Sequence, residues 1–166
     1  MAKFDSAEKL NLADIEITDV MTGDRDKRMF LYYQLIHSLK KAERVDIIVS
    51  FLMESGVKML LRELGNALDR GAKIRILTGN YLGITQPSAL YLIKQKLGDR
   101  VDLRFYNEKN RSFHPKSYIF HYADYSEIYI GSSNISRSAL TSGIEWNYRF
   151  RNTSDAKNYE KFFLYL

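Results

Sequence analysis

The chain has 166 residues, 45% hydrophobic and 27% charged, which suits one soluble domain with a sizeable core rather than two domains. It contains no cysteine, which excludes a disulfide framework and any thiolate metal site. Its 25 basic and 20 acidic residues leave a net charge of +5 and a pI of about 9.3, which favours a polyanionic partner, nucleic acid first.

Residues 1–12 are polar and mixed and read as a frayed start. They lack the apolar region of a secretory signal, and no run of about 18 apolar residues follows anywhere. The expectation is therefore a cytoplasmic protein with no membrane span. Residues 13–20, with Ile15, Ile17 and Val20, suggest an edge strand. Thr22-Gly23-Asp24 reads as a turn and an N-cap. Met29, Tyr32, Tyr33, Ile36 and Leu39 then recur at helical spacing and predict an amphipathic helix over 25–42. His37 lies beside that stripe and reads as an ordinary helix histidine. Residues 45–52 predict a buried strand, and residues 54–70 a helix with Val57, Leu60, Leu61, Leu64 and Leu68 inward, ended by Gly71. Residues 73–77 predict a second buried strand. A helix over 87–97 is opened by Pro87 and closed by Gly98. Residues 101–106 form a third strand. The alternation of strand and helix predicts parallel pairing with right-handed crossovers.

A polar loop over 107–112 leads to the richest stretch of the chain, residues 113–134. Residues 116–122 predict a strand, so His114 and Lys116 point the same way and His121 points the other. A second strand over 127–130 runs into Gly131-Ser132-Ser133-Asn134, a small polar turn suited to close approach of an anion. Residues 135–143 read as irregular. Residues 144–150 predict a last strand, with Glu145, Asn147 and Arg149 on one face and Ile144, Trp146, Tyr148 and Phe150 on the other. Ser154 or Asp155 would cap a final helix to Leu166.

His114-x-Lys116 followed by Gly131-Ser132-x-Asn134 resembles the signature of the phospholipase D superfamily, the HKD phosphodiesterases. The family form is His-x-Lys, four residues, Asp, six residues, Gly-Ser-x-Asn. Here His121 stands in the Asp position, and Asp124 stands six residues before Gly131. Asp124 itself reads as a turn residue. The resemblance spans nearly the whole chain and implies an α/β fold: a mixed β-sheet flanked by helices on both faces, the phospholipase D-like α/β/α sandwich. Ile74 to Gly79 and Gly143 to Asn147 further resemble the HKD-like domains at the N-termini of some bacterial helicases and restriction-type enzymes. The expectation is one phospholipase D-like domain over 1–166, part of a longer protein of that kind.

Phosphodiester hydrolysis needs a nucleophile, neutralised phosphoryl oxygens and a proton for the leaving alkoxide. His114 supplies the nucleophile through a phosphohistidine, and Lys116 the charge. Asn134 and Ser132 donate to non-bridging oxygens, and Glu145 is expected to orient His114, as the family's downstream Glu does. Lys109, Arg111 and Arg137 would hold substrate phosphates, with Tyr106, Phe113 and Tyr125 as stacking faces. Only three histidines exist, His37, His114 and His121, so no second catalytic histidine is available within the chain. The family's single-motif nucleases meet this with a twofold dimer, and a homodimer across His114 is expected here. The predicted activity is a metal-independent nuclease or phosphodiesterase with no cofactor, acting on nucleic acid, DNA ahead of RNA. The alternative is an inactive DNA-binding or targeting module of a helicase. No Walker motif is present.

Overall fold

A computed structural model describes residues 17–23, 29–108 and 110–152. Seven strands form one mixed sheet. The elements in chain order are β1 (Val20–Met21), α1 (Leu31–Leu39), β2 (Arg44–Val49), α2 (Glu54–Asp69), β3 (Lys73–Gly79), α3 (Pro87–Leu97), β4 (Val101–Tyr106), β5 (Lys116–His121), β6 (Ser126–Gly131), α4 (Arg137–Thr141) and β7 (Asn147–Asn152). Across the sheet the order is β1-β7-β6-β5-β2-β3-β4. β2, β3 and β4 pair in parallel, while β5 joins β2 antiparallel and starts the meander β5-β6-β7-β1. This is the mixed α/β sheet expected of the phospholipase D fold.

The parallel half follows from two helical crossovers. α2 buries Val57, Leu60, Leu64 and Ala67, and α3 buries Ala89, Ile93 and Leu97. Both stripes pack on Val45, Ile47, Val49, Ile74 and Ile76, one face of β2 and β3. Each buried Leu or Ile contributes about 1.5–3 kcal/mol of burial free energy. Arg70 closes α2 and Gly71 follows at φ +91°, the left-handed stop that its position predicts. α1 joins the same core through Leu31, Leu35, Ile36 and Leu39, and the four helices pack on this face among the described residues. Ile48, Leu77 and Phe113 form a smaller cluster on the other face. The expected final helix, the first part of the edge strand and the start of the first helix lie outside the described residues.

Three local expectations need correction. Among the described residues the first helix runs from Leu31, after an extended Phe30, and ends at Leu39 rather than at residue 42; its buried stripe centres on Leu31, Leu35 and Leu39, with Tyr32 and Tyr33 at its margin. The irregular stretch 135–143 contains α4, capped by Ser136, whose Oγ accepts the Ala139 N–H at 3.2 Å. Five residues are too few to show a helical period. The last strand starts at Asn147, and it buries its polar face: Asn147 and Arg149 are buried, whereas Ile144 and Trp146 are 93% and 69% exposed. Arg149 tolerates burial because it pairs with Asp19 at 2.8 Å and Glu127 at 3.5 Å.

Candidate active site

The C-terminal ends of β2, β3, β4 and β6 and the starts of β5 and β7 meet at one edge of the sheet. Ligands commonly bind at that edge in α/β folds. Lys116, the first residue of β5, sits opposite Val49. Its Nζ donates to Ser50 Oγ at 3.1 Å and to the His114 carbonyl at 3.1 Å. It also lies 3.2 and 3.0 Å from the two ring nitrogens of His114. Ser50 is itself fixed by donating to the Pro115 carbonyl at 3.1 Å. Partial burial holds the Lys116 ammonium below its ordinary pKa, although the nearby Glu145 carboxylate acts in the other direction. The exposed His114 imidazole is also shifted down, first by desolvation and then by the Lys116 charge, which favours the neutral ring. Tyr81 covers one side of it, with ring centroids 4.3 Å apart.

The second wall is the turn after β6. Gly131 is obligatory there. A Cβ at this position would stand 2.5 Å from Asn147 Oδ1 and 2.6 Å from Asn147 Cα. Below the turn, Ser133 is held by Asn147, whose Nδ2 donates to its Oγ at 2.9 Å and whose Oδ1 accepts its N–H at 3.3 Å. The buried Tyr118 hydroxyl donates to the Ser133 carbonyl at 3.0 Å. Asn134 is 5% exposed and accepts the Phe51 N–H on Oδ1 at 3.2 Å. Its Nδ2 has no partner among the described residues and can donate outward. Ser132 is exposed and donates to Glu145, while accepting the Trp146 N–H at 2.9 Å.

The structure thus brings together His114, Lys116, Ser132 and Glu145, with Asn134 on the same turn. Glu145 bonds to Ser132; no hydrogen bond joins it to His114 among the described residues. Arg111 is exposed on the loop before the site, and Arg137 is exposed at the start of α4, its N–H donating to Ser55 Oγ at 3.3 Å. Lys109 lies outside the described residues. Tyr106 and Phe113 stack on each other at 4.7 Å beside the site. Tyr125 does not belong there: it stacks on Tyr122 at 4.6 Å near the β5–β6 turn, at the far end of the strands. Asp124 is exposed in that same turn. Sequence reasoning missed Ser50, Tyr81 and Asn147. Ser50 and Tyr81 are far from the motif in sequence and reach it only through β2 and β3. Asn147 stood in a segment noted for its resemblance but carried no signal of its clamp on Ser133.

His121 lies at the other end of β5. Its Nε2 is 3.0 Å from Asp46 Oδ2 and its Nδ1 is 2.9 Å from Ser126 Oγ. Asp46, fully buried, also receives Arg75 at 2.6 and 2.7 Å. Burial pushes the Asp46 carboxyl upward. The hydrogen bonds from Arg75 and His121 and the Arg75 and Arg44 charges outweigh it and hold the group below its ordinary value. The residue that replaces the motif Asp is therefore tied into a structural network away from His114. Among the described residues no group of three or more His, Asp and Glu is placed to hold a metal ion, and no helix is long and apolar enough to cross a membrane.

A sequence search of curated proteins found no match. Among solved structures the fold is similar to NucT from Helicobacter pylori, with TM-score 0.62, 20% identity, and 87% of this chain and 93% of that one covered. It is also similar to Nuc from Salmonella typhimurium, a phospholipase D family member, with TM-score 0.59, 19% identity, and 80% and 81% covered. A third likeness, to phosphatidylserine synthase from Haemophilus influenzae Rd KW20, has TM-score 0.63 and 12% identity, and covers 86% of this chain but 35% of that one. Residues 35–166 match the family described as cardiolipin synthase, PLD-like domain, and the chain belongs to that family within the phospholipase D superfamily.

Proposed function

We propose that the protein is a phosphodiesterase acting on nucleic acid, with His114 as nucleophile. The observation that carries this reading is the contact of the exposed His114 ring with the Lys116 ammonium at 3.0 Å, which Ser50 also holds. On substrate binding, Lys116 transfers its donation from the imidazole to a non-bridging phosphoryl oxygen. Asn134 Nδ2 donates to another oxygen, Ser132 does so once its hydroxyl turns from Glu145, and Arg111, Arg137 and Lys109 hold flanking phosphates. A ring nitrogen of His114 attacks phosphorus, the P–N bond forms and the P–O bond to the leaving alkoxide breaks. A second, protonated histidine gives its proton to that alkoxide. Water then attacks the phosphohistidine and loses a proton to the same second histidine, and the P–N bond breaks. No step calls for a metal.

Neither His37 nor His121 is in reach, since His37 is on α1 and His121 is engaged by Asp46. The second histidine is therefore His114 of another copy in a twofold dimer. The exposed apolar strip of Ile130, Ile144, Trp146 and Tyr148 supports this reading, because it borders Ser132 and Glu145 and would be covered by the partner. In the dimer, Glu145 reaches a histidine ring and orients it. DNA is the proposed substrate and the cytoplasm the proposed location. Attachment to a helicase or restriction-type protein, with this chain as its N-terminal domain, is part of the same proposal and rests on the resemblance of Ile74 to Gly79 and Gly143 to Asn147 alone.

Cleavage of single- and double-stranded DNA by wild type and His114→Ala in a chelator tests the reading. Turnover that survives the chelator and vanishes in the variant supports it. DNA binding without turnover in either protein would favour the non-catalytic targeting module instead.

A further inference from the structure

A cleft of about 470 Å³ opens beside His114, lined by the turn after β3 and the loop after β4. We propose that it is a subsite for an unpaired nucleobase, so that the preferred substrate is a single strand; this rests on the phosphodiesterase reading above. Tyr81 links the cleft to the reaction centre, because it lines the cleft and its ring lies 4.3 Å from that of His114. A strand with its phosphate at His114 would carry the neighbouring base into this space. Tyr106 supplies a second aromatic wall, held by its stack on Phe113 and by its hydroxyl, which donates to Glu108 at 2.6 Å. Asn107 and Asn110 add amide donors and acceptors for base edges, and the second Glu108 oxygen can accept from an exocyclic amine. Aromatic faces with edge-reading polar groups fit a base whose face and edge are both free. In a duplex the stack covers the faces and pairing occupies the Watson–Crick edge.

Leu82 is the independent observation. It is the one non-glycine residue with positive φ among the described residues, at φ +53° and ψ +24°. It is also 78% exposed on the cleft rim. A large apolar side chain held in a disfavoured backbone conformation gains nothing there from packing. Strain of this kind concentrates at ligand clamps. Leu82 is placed to press on the edge of a base seated against Tyr81.

The test uses the full chain and three fluorescent ligands: a single-stranded oligodeoxynucleotide, the same strand with abasic residues, and its duplex. Binding is read with His114→Ala, so that turnover plays no part. The native single strand is expected to bind about tenfold or more tightly than the abasic strand or the duplex. Leu82→Gly suits the left-handed backbone and keeps the fold. It is expected to reduce that preference about three- to tenfold, as is Asn107→Ala, while cleavage of the abasic strand by the same variants in the His114 background stays unchanged. Equal binding of native and abasic strands, or a preference that neither substitution moves, would overturn the subsite. Absence of turnover on every diester would overturn the phosphodiesterase reading and leave this binding preference standing, so the two failures are separable.

Discussion

β5 carries two histidine clusters, one at each end, and they are built on opposite principles. At its start, exposed His114 touches an ammonium, and Asn134 on the turn after β6 keeps its Nδ2 donor, among the described residues, for something not yet bound. At its end, His121 is enclosed with both ring nitrogens engaged by Asp46 and Ser126. They stand seven positions apart, an odd offset, and strand alternation sends them to different faces. The first cluster has unmet bonding capacity at a rim; the second meets its own needs in the interior. A histidine and an acid close together therefore do not by themselves mark a site. Ser126, His121 and Asp46 have the residue types of a catalytic triad. Yet Asp46 is fully buried under two arginines, which gives it a stabilising role.

The contrast breaks if changes at the two ends have the same consequences. The largest expected effect is on His114→Ala, which should lower turnover at least about 10³-fold while leaving the melting temperature unchanged, because the side chain is exposed. Activity and thermal unfolding measured on one preparation check both halves. Asp46→Asn should do the reverse. It leaves the half-buried Arg75 and Arg44 facing a neutral amide and should cost about 1.5–3 kcal/mol in denaturant unfolding, with turnover of the folded protein retained. Its pH signature follows from a depressed folded-state pKa. The stabilisation is complete above the unfolded value of about 3.9 and is lost as pH falls through the lower folded value. Acid titration of stability should show that loss in wild type and not in Asp46→Asn.

Lys116→Gln sharpens the catalytic side. Turnover should fall about 10²-fold, for loss of a charge on the phosphoryl oxygens. The Lys116 charge lowers the His114 pKa, so its removal should raise that pKa and move the acid limb of kcat/KM to higher pH. Imidazole proton titration by NMR reads the same shift without turnover. The smallest effect is expected of His121→Gln, about 1 kcal/mol of stability for a weakened hydrogen bond and no change in kcat.

Much of the fold was legible because local signals agreed. α3 runs from Pro87 to Leu97 and stops at Gly98 as punctuated, and β4 matches its predicted bounds. The apolar runs of β2 and β3 announced buried parallel strands. α4 was hidden because a single turn has no period, and its Ser136 cap looks like any loop serine. β7 displayed alternation, but alternation does not say which face is buried. Burial of Asn147 and Arg149 depends on Ser133, Asp19 and Glu127, distant in sequence. The candidate site was legible where it is contiguous, from His114 to Asn134. Ser50 and Tyr81 reach it only because β2 and β3 end beside β5, which no local pattern records. Glu145 illustrates the same limit: it was expected on the last strand as the carboxylate that orients His114, but it precedes β7 and its bond is to Ser132.

The most direct measurement is rapid-quench mass spectrometry of the protein turning over a short oligodeoxynucleotide in a chelator, with quenching at alkaline pH to preserve a phosphohistidine. The expected result is a nucleotidyl phosphoryl adduct on His114 that forms and decays at the rate of cleavage and is absent from His114→Ala. Cleavage that proceeds with no adduct on His114, and equally in the variant, would contradict His114 as the nucleophile.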